Sequence, residues 1–166
     1  YFSRTPSEFW QRWHITLSSW LRDYLYIPLG GNRGGVYGTF RNLMLTMALG
    51  GLWHGANWTF IIWGVIHGSV LIAYHALEAR GWALTALAGF KRLISVIIFF
   101  HIVCITWIYF RAESLTQAND MVLGLFQNIG MTDFSAYILG MLAFFALPMM
   151  LLELWIERSR NLLHVL

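Results

Sequence analysis

Long apolar stretches alternate along this chain with short polar or glycine-rich breaks. No Asp, Glu, Lys or Arg occurs from Leu43 to Leu77, and none from Leu93 to Phe110. About 20 apolar residues in a helix cross a hydrocarbon core of about 30 Å. The pattern therefore predicts membrane helices over about 42–53, 58–77, 93–110 and 137–152. The first is too short to span alone, and Pro148 interrupts the last. Gly50-Gly51 permits a break or tight packing between the first two. Ala112 to Thr132 is more polar and reads as an interfacial helix plus loop.

The N-terminal region has a different period. Thr5-Pro6-Ser7-Glu8 reads as a helix start, with Thr5 as N-cap, Pro6 at the first helical position and Glu8 at the capping-box position. The spacing predicts one helix over about 6–26, ending before Pro28. Phe9, Trp10, Trp13, Leu17, Trp20, Leu21 and Tyr24 then share an arc of about 120°, which suits an amphipathic helix lying in the membrane interface. His14 falls near the edge of that arc. A glycine-rich loop, 28–38, follows and carries Arg33. It reads as a turn, or as a backbone cradle for a phosphate or headgroup, but it has no Walker or Rossmann spacing.

Composition supports the membrane reading. Charged residues make up 11% of the 166 residues and mean hydropathy is +0.58, whereas soluble domains carry about 25% charged residues. The expected fold class is all-α: a polytopic integral membrane protein with an interfacial N-terminal helix and three to four embedded helices. Because the chain opens at Tyr1 without a signal peptide, the expectation is a single membrane domain over 1–166 that forms the C-terminal part of a longer protein. The net charge of +3 sits in the first 41 residues, where five arginines face Glu8 and Asp23. That excess suits membrane lipids or an anionic donor. With Lys91 the sole lysine, nucleic acid is not expected as a partner. Basic residues flank both ends of 93–110, so charge does not fix orientation. Cys104 is the sole cysteine, which excludes a disulfide framework or a cysteine metal site.

The chemistry centres on histidine, whose proton affinity lies near neutral pH and which is costly in an apolar segment. His54 stands in Trp53-His54-Gly55-Ala56-Asn57-Trp58. On a helix Asn57 would share its face, Gly55 and Ala56 would leave room, and Trp53 and Trp58 could wall a site. His54 is then either a general base towards a hydroxyl or a packing histidine bonded to a carbonyl, and spacing leaves both open. His14 is likewise an interfacial histidine or a member of the same site. His67 and His75 lack the spacing or carboxylates of a metal site. His101 sits mid-span without an evident local partner. Ser18-Ser19 lacks the glycine pattern of a nucleophile elbow, so a serine acyl-enzyme is not supported.

Glu8-Phe9-Trp10-Gln11-Arg12-Trp13-His14 and Trp20-Leu21-Arg22-Asp23-Tyr24-Leu25-Tyr26-Ile27-Pro28-Leu29-Gly30-Gly31-Asn32-Arg33 resemble the signature of membrane-bound O-acyltransferases, in the branch of alginate O-acetyltransferase membrane subunits. Gly51 to Trp58, Trp63 to Gly68 and Phe110 to Leu115 continue the likeness, which covers residues 1 to about 120. The resemblance implies a helical fold with a funnel into the membrane, completed by helices that precede this segment. It implies that His54 is the catalytic histidine and His14 a second signature position. Asn57, Trp53, Arg22, Asp23 and Arg33 are the supporting or substrate-binding candidates.

The implied reaction moves an acetyl group from an acyl thioester, acetyl-CoA or an acyl carrier, to a hydroxyl. The thioester is substrate; no bound cofactor and no metal are expected. The implied setting is the cell inner membrane, crossed several times, with periplasmic or membrane acetyltransferase proteins of a polysaccharide-modifying complex as partners. Alginate, cellulose, peptidoglycan and teichoic acid remain open as acceptors. A transporter or channel with histidines relaying protons, and a scaffold holding periplasmic enzymes, are the competing classes.

Overall fold

A computed structural model describes residues 3–82, 89–127, 130 and 133–163. The described residues form helices and turns, without a strand: α1 Pro6–Arg12, α2 Ile15–Leu21 running into a π-helical turn Arg22–Tyr26, α3 Gly35–Trp53, α4 Trp58–Ala79, α5 Gly89–Arg111, α6 Leu115–Gln127 and α7 Asp133–Leu163. They divide into two compact units, Tyr1–Gly124 and Leu125–Leu166.

α1 begins where its sequence says. Thr5 Oγ1 accepts the Glu8 N–H at 3.1 Å, and the Glu8 carboxylate accepts the Arg4 N–H at 2.8 Å. The expected single helix over 6–26 is not observed. Trp13 is extended and His14 left-handed, with φ 44° and ψ 52°. The Ser18 hydroxyl donates to the Trp13 carbonyl across the break. No glycine or proline marks this break, and its cause is tertiary. α1 drives Phe9 into a cluster with Phe99 and Val103 of α5. Leu21 of α2 instead meets Gly50 of α3, where an added Cβ would lie 3.0 Å from its Cδ1. One straight helix could not reach both partners. The shared aromatic arc divides accordingly: Phe9, Leu17 and Leu21 are buried, while Trp20 and Tyr24 stay exposed against each other with ring centroids 5.8 Å apart.

α3 and α4 form an antiparallel hairpin whose backbones touch. A Cβ on Gly51 would collide with the Phe60 carbonyl oxygen, and one on Gly64 with the Met47 carbonyl oxygen. Gly68 meets Met44 in the same register. Small residues permit this approach where lipid offers no hydrophobic driving force. α3 starts at Gly35, seven residues before the expected 42, because the glycine-rich segment is turn only to Gly34. Buried Asn42 fixes that turn by donating to the Gly31 carbonyl at 2.9 Å. Among the described residues two helices are long and apolar enough to cross a membrane, Trp58–Ala79 and Gly89–Arg111.

In the second unit, α7 runs for 31 residues with Pro148 inside it. The expected stop near 152 and the interruption at Pro148 are therefore both revised: the helix continues through Glu153, Glu157, Arg158 and Arg160. Proline is tolerated inside apolar helices whose surroundings compensate its missing N–H.

Candidate active site

The turn between α3 and α4 is built to hold one imidazole. His54 ends α3, its N–H bonded to the Gly51 carbonyl at 3.0 Å. Gly55 follows where an added Cβ would sit 2.8 Å from the Phe60 ring, so a side chain has no room. Asn57 then caps α4: its Oδ1 accepts the Thr59 N–H at 3.1 Å, and its Nδ2 donates to the Glu113 carbonyl at 3.1 Å. Donor and acceptor identities fix the amide orientation. Asn57 thus clamps the His54 turn to the segment after α5. The helical face expected to join Asn57 to His54 does not exist, because the helix breaks between them.

Aromatic edges surround the His54 ring. Centroid distances are 5.0 Å to Phe110, 5.1 Å to Trp53, 5.5 Å to Trp63 and 6.2 Å to Phe60. Trp58 is 68% exposed, and the wall expected from it comes instead from Phe60, Trp63 and Phe110. These three were missed as wall residues in the sequence; only the hairpin geometry reveals them. His54 is half-buried, and burial, together with positive charge on His14, holds its pKa below the ordinary histidine value. His14 is exposed and carries the sole positive φ among non-glycine described residues. Such a conformation costs on the order of 1–3 kcal/mol and clusters at functional sites.

The remaining candidates divide into several environments. Trp53 lines the site and is 60% exposed. Arg22 and Asp23 are exposed and pair with each other at 2.7 Å, which holds the Asp23 carboxyl below its ordinary pKa. Arg33 is exposed on the glycine-rich turn. His67 is buried beside Trp63, with Nε2 3.0 Å from Thr106 Oγ1. Thr106 gives its own proton to the Val103 carbonyl, so His67 donates from Nε2. His75 lies 3.7 Å from Glu78, and His101 bonds the Ile97 carbonyl at 2.8 Å. Among the described residues no three His, Cys, Asp or Glu side chains group as a metal site.

Apolar spans and a half-open histidine beneath an aromatic wall at a helix end define a helical membrane protein. The family model of MBOAT, the membrane-bound O-acyltransferase family, matches residues 2–116, and the chain belongs to that family. It is 52% identical over 126 residues to the probable alginate O-acetylase AlgI of Azotobacter vinelandii, covering 76% of this chain and 24% of that one. It is 43% identical over 120 residues to the peptidoglycan O-acetyltransferase of Helicobacter pylori, covering 71% and 22%. Similarity to the teichoic acid D-alanyltransferase of Bacillus subtilis is 28% over 124 residues, covering 68% and 31%. The chain spans about a quarter of the length of the alginate relatives it matches.

Proposed function

We propose that the whole protein to which this segment belongs is an O-acetyltransferase acting on an exported polysaccharide, alginate or a chemically similar acceptor. The observation that carries the reading is the half-open His54 ring, held by aromatic edges and making no ring hydrogen bond among the described residues. A neutral imidazole accepts a proton from an acceptor hydroxyl. The oxygen then attacks the carbonyl of an acyl thioester, the C–S bond breaks, and the thiolate leaves with a proton. A positioned base contributes about 10²–10⁴-fold in rate. The aromatic wall keeps water from the carbonyl, and His14 steadies the charge that develops on it. Trp53 borders the entrance, and Asn57 acts at one remove by fixing the turn. Arg33 would meet the donor's anionic portion, and Arg22, held by Asp23 at 2.7 Å, would assist it. The setting is the cell inner membrane, crossed several times, with acetyltransferase partners passing the group onward.

Support comes from the alginate and peptidoglycan acetylases among the relatives. The test uses purified full-length protein with an acetyl thioester labelled in the acetyl group. Label should appear as an ester on the acceptor hydroxyl. Passage of label across the membrane without a new ester would instead favour a channel.

A further inference from the structure

The end of α4 and α5 remote from His54 carries two adjoining cavities that the proposed reaction does not use. One is an apolar crevice of about 480 Å³ between Val70, Ala73 and Leu77 of α4 and Ile94, Ile98 and Ile102 of α5. The other is a polar pocket of about 400 Å³ at the start of α1, bordered by Glu8, Arg12 and Glu78. Arg4 and Tyr74 line both, so the two form one amphipathic site.

Its depth fits one leaflet. The apolar lining on α5 runs from Lys91 to Ile102, about 16 Å of helix, or half of a hydrocarbon core of about 30 Å. Phe110, which touches His54, lies about 28 Å further along α5 than Lys91. The crevice therefore opens at the membrane face opposite the His54 turn.

Charge selects the occupant. Glu8 is bracketed by Arg4 at 3.4 Å and Arg12 at 3.1 Å. Lys91 adds a cation at the crevice mouth. Glu78 holds the Tyr74 hydroxyl and has His75 at 3.7 Å, which leaves carboxylate character at the pocket's far edge. Cations beside a carboxylate, above an apolar slot one leaflet deep, match a phosphate joined to an ammonium on an acyl chain. We propose that this site binds a zwitterionic phospholipid with a primary ammonium. Its chain lies between α4 and α5, its phosphate lies against Arg4 and Lys91, and its ammonium lies against Glu78. The site also flanks α1, which ends at Arg12, two residues before His14.

Native mass spectrometry of delipidated full-length protein tests this, with phosphatidylethanolamine, phosphatidylcholine and phosphatidylglycerol added separately. One phosphatidylethanolamine should be retained in preference to the other two. Ala73→Trp, which fills the slot, should weaken retention about tenfold or more. Glu78→Gln leaves the slot intact and should remove the preference over phosphatidylglycerol while lipid still binds. Three results would each overturn the proposal: no lipid retained by the wild type, a wild-type preference for phosphatidylglycerol, or unchanged preference in Glu78→Gln. A crosslink from Ala73→Cys to another helix of the protein would show that helix, not lipid, as the occupant.

Discussion

Two imidazoles touch the same indole, Trp63, from different levels of the bundle, and they differ in what their nitrogens do. His67 is 3% exposed, stacks on Phe9 at 6.1 Å and commits Nε2 to Thr106. His54 is half-open, ringed by aromatic edges, and makes no ring hydrogen bond among the described residues. A buried histidine with its nitrogen engaged serves packing. One held in place by ring edges and a clamped turn, with its nitrogens uncommitted, can serve a substrate. Apolar context alone does not separate the two; hydrogen-bond commitment does.

The comparison can be broken at several points. Among the residues around His54 the largest expected effect comes from Asn57→Ala, which removes the bond to the Glu113 carbonyl and releases the His54 turn. A displacement of about 1 Å at the reacting group can cost about 10²-fold, so acetyl transfer should fall by that order. The N-cap loss should cost about 1 kcal/mol of stability in thermal melts. Transfer at the wild-type rate would show that the turn needs no clamp.

His67→Leu should do the reverse. The lost hydrogen bond costs about 1 kcal/mol, while transfer in the folded protein stays near the wild-type rate. A folded His67→Leu protein without transfer would erase the distinction between the two histidines.

The smallest effect is a displacement of the pH profile. Charge on His14 lowers the His54 pKa. His14→Asn removes that charge and keeps a residue that tolerates left-handed backbone. The His54 pKa should then rise, and the acid limb of the transfer rate should move to higher pH. A limb that stays in place would mean that the two rings do not sense each other.

Much of this was legible from residue order. The uncharged runs marked α4 and α5, Thr5-Pro6-Ser7-Glu8 marked the start of α1, and Gly50-Gly51 marked close helix packing. The break at Trp13-His14 was not legible, because nothing in its residues forbids a helix. It arises from the need to send Phe9 towards α5 and Leu21 towards α3. The surroundings of His54 were not legible. Phe60, Trp63 and Phe110 converge on His54 through the hairpin and α5, which local spacing cannot express. For the same reason the cap of α4 and the bond to the Glu113 carbonyl that Asn57 makes are not expressed in its spacing from His54. The run to Leu152 set the expected end of α7, yet the helix continues through charged residues and Pro148, since charge ends an apolar stretch without ending a helix.

The most direct test of the account is the transfer rate of full-length His54→Ala. Transfer from a labelled acetyl thioester to the acceptor hydroxyl should fall about 10²–10⁴-fold, with unchanged membrane insertion and melting temperature. Wild-type transfer by a normally inserted His54→Ala protein would contradict the assignment of His54 as the base.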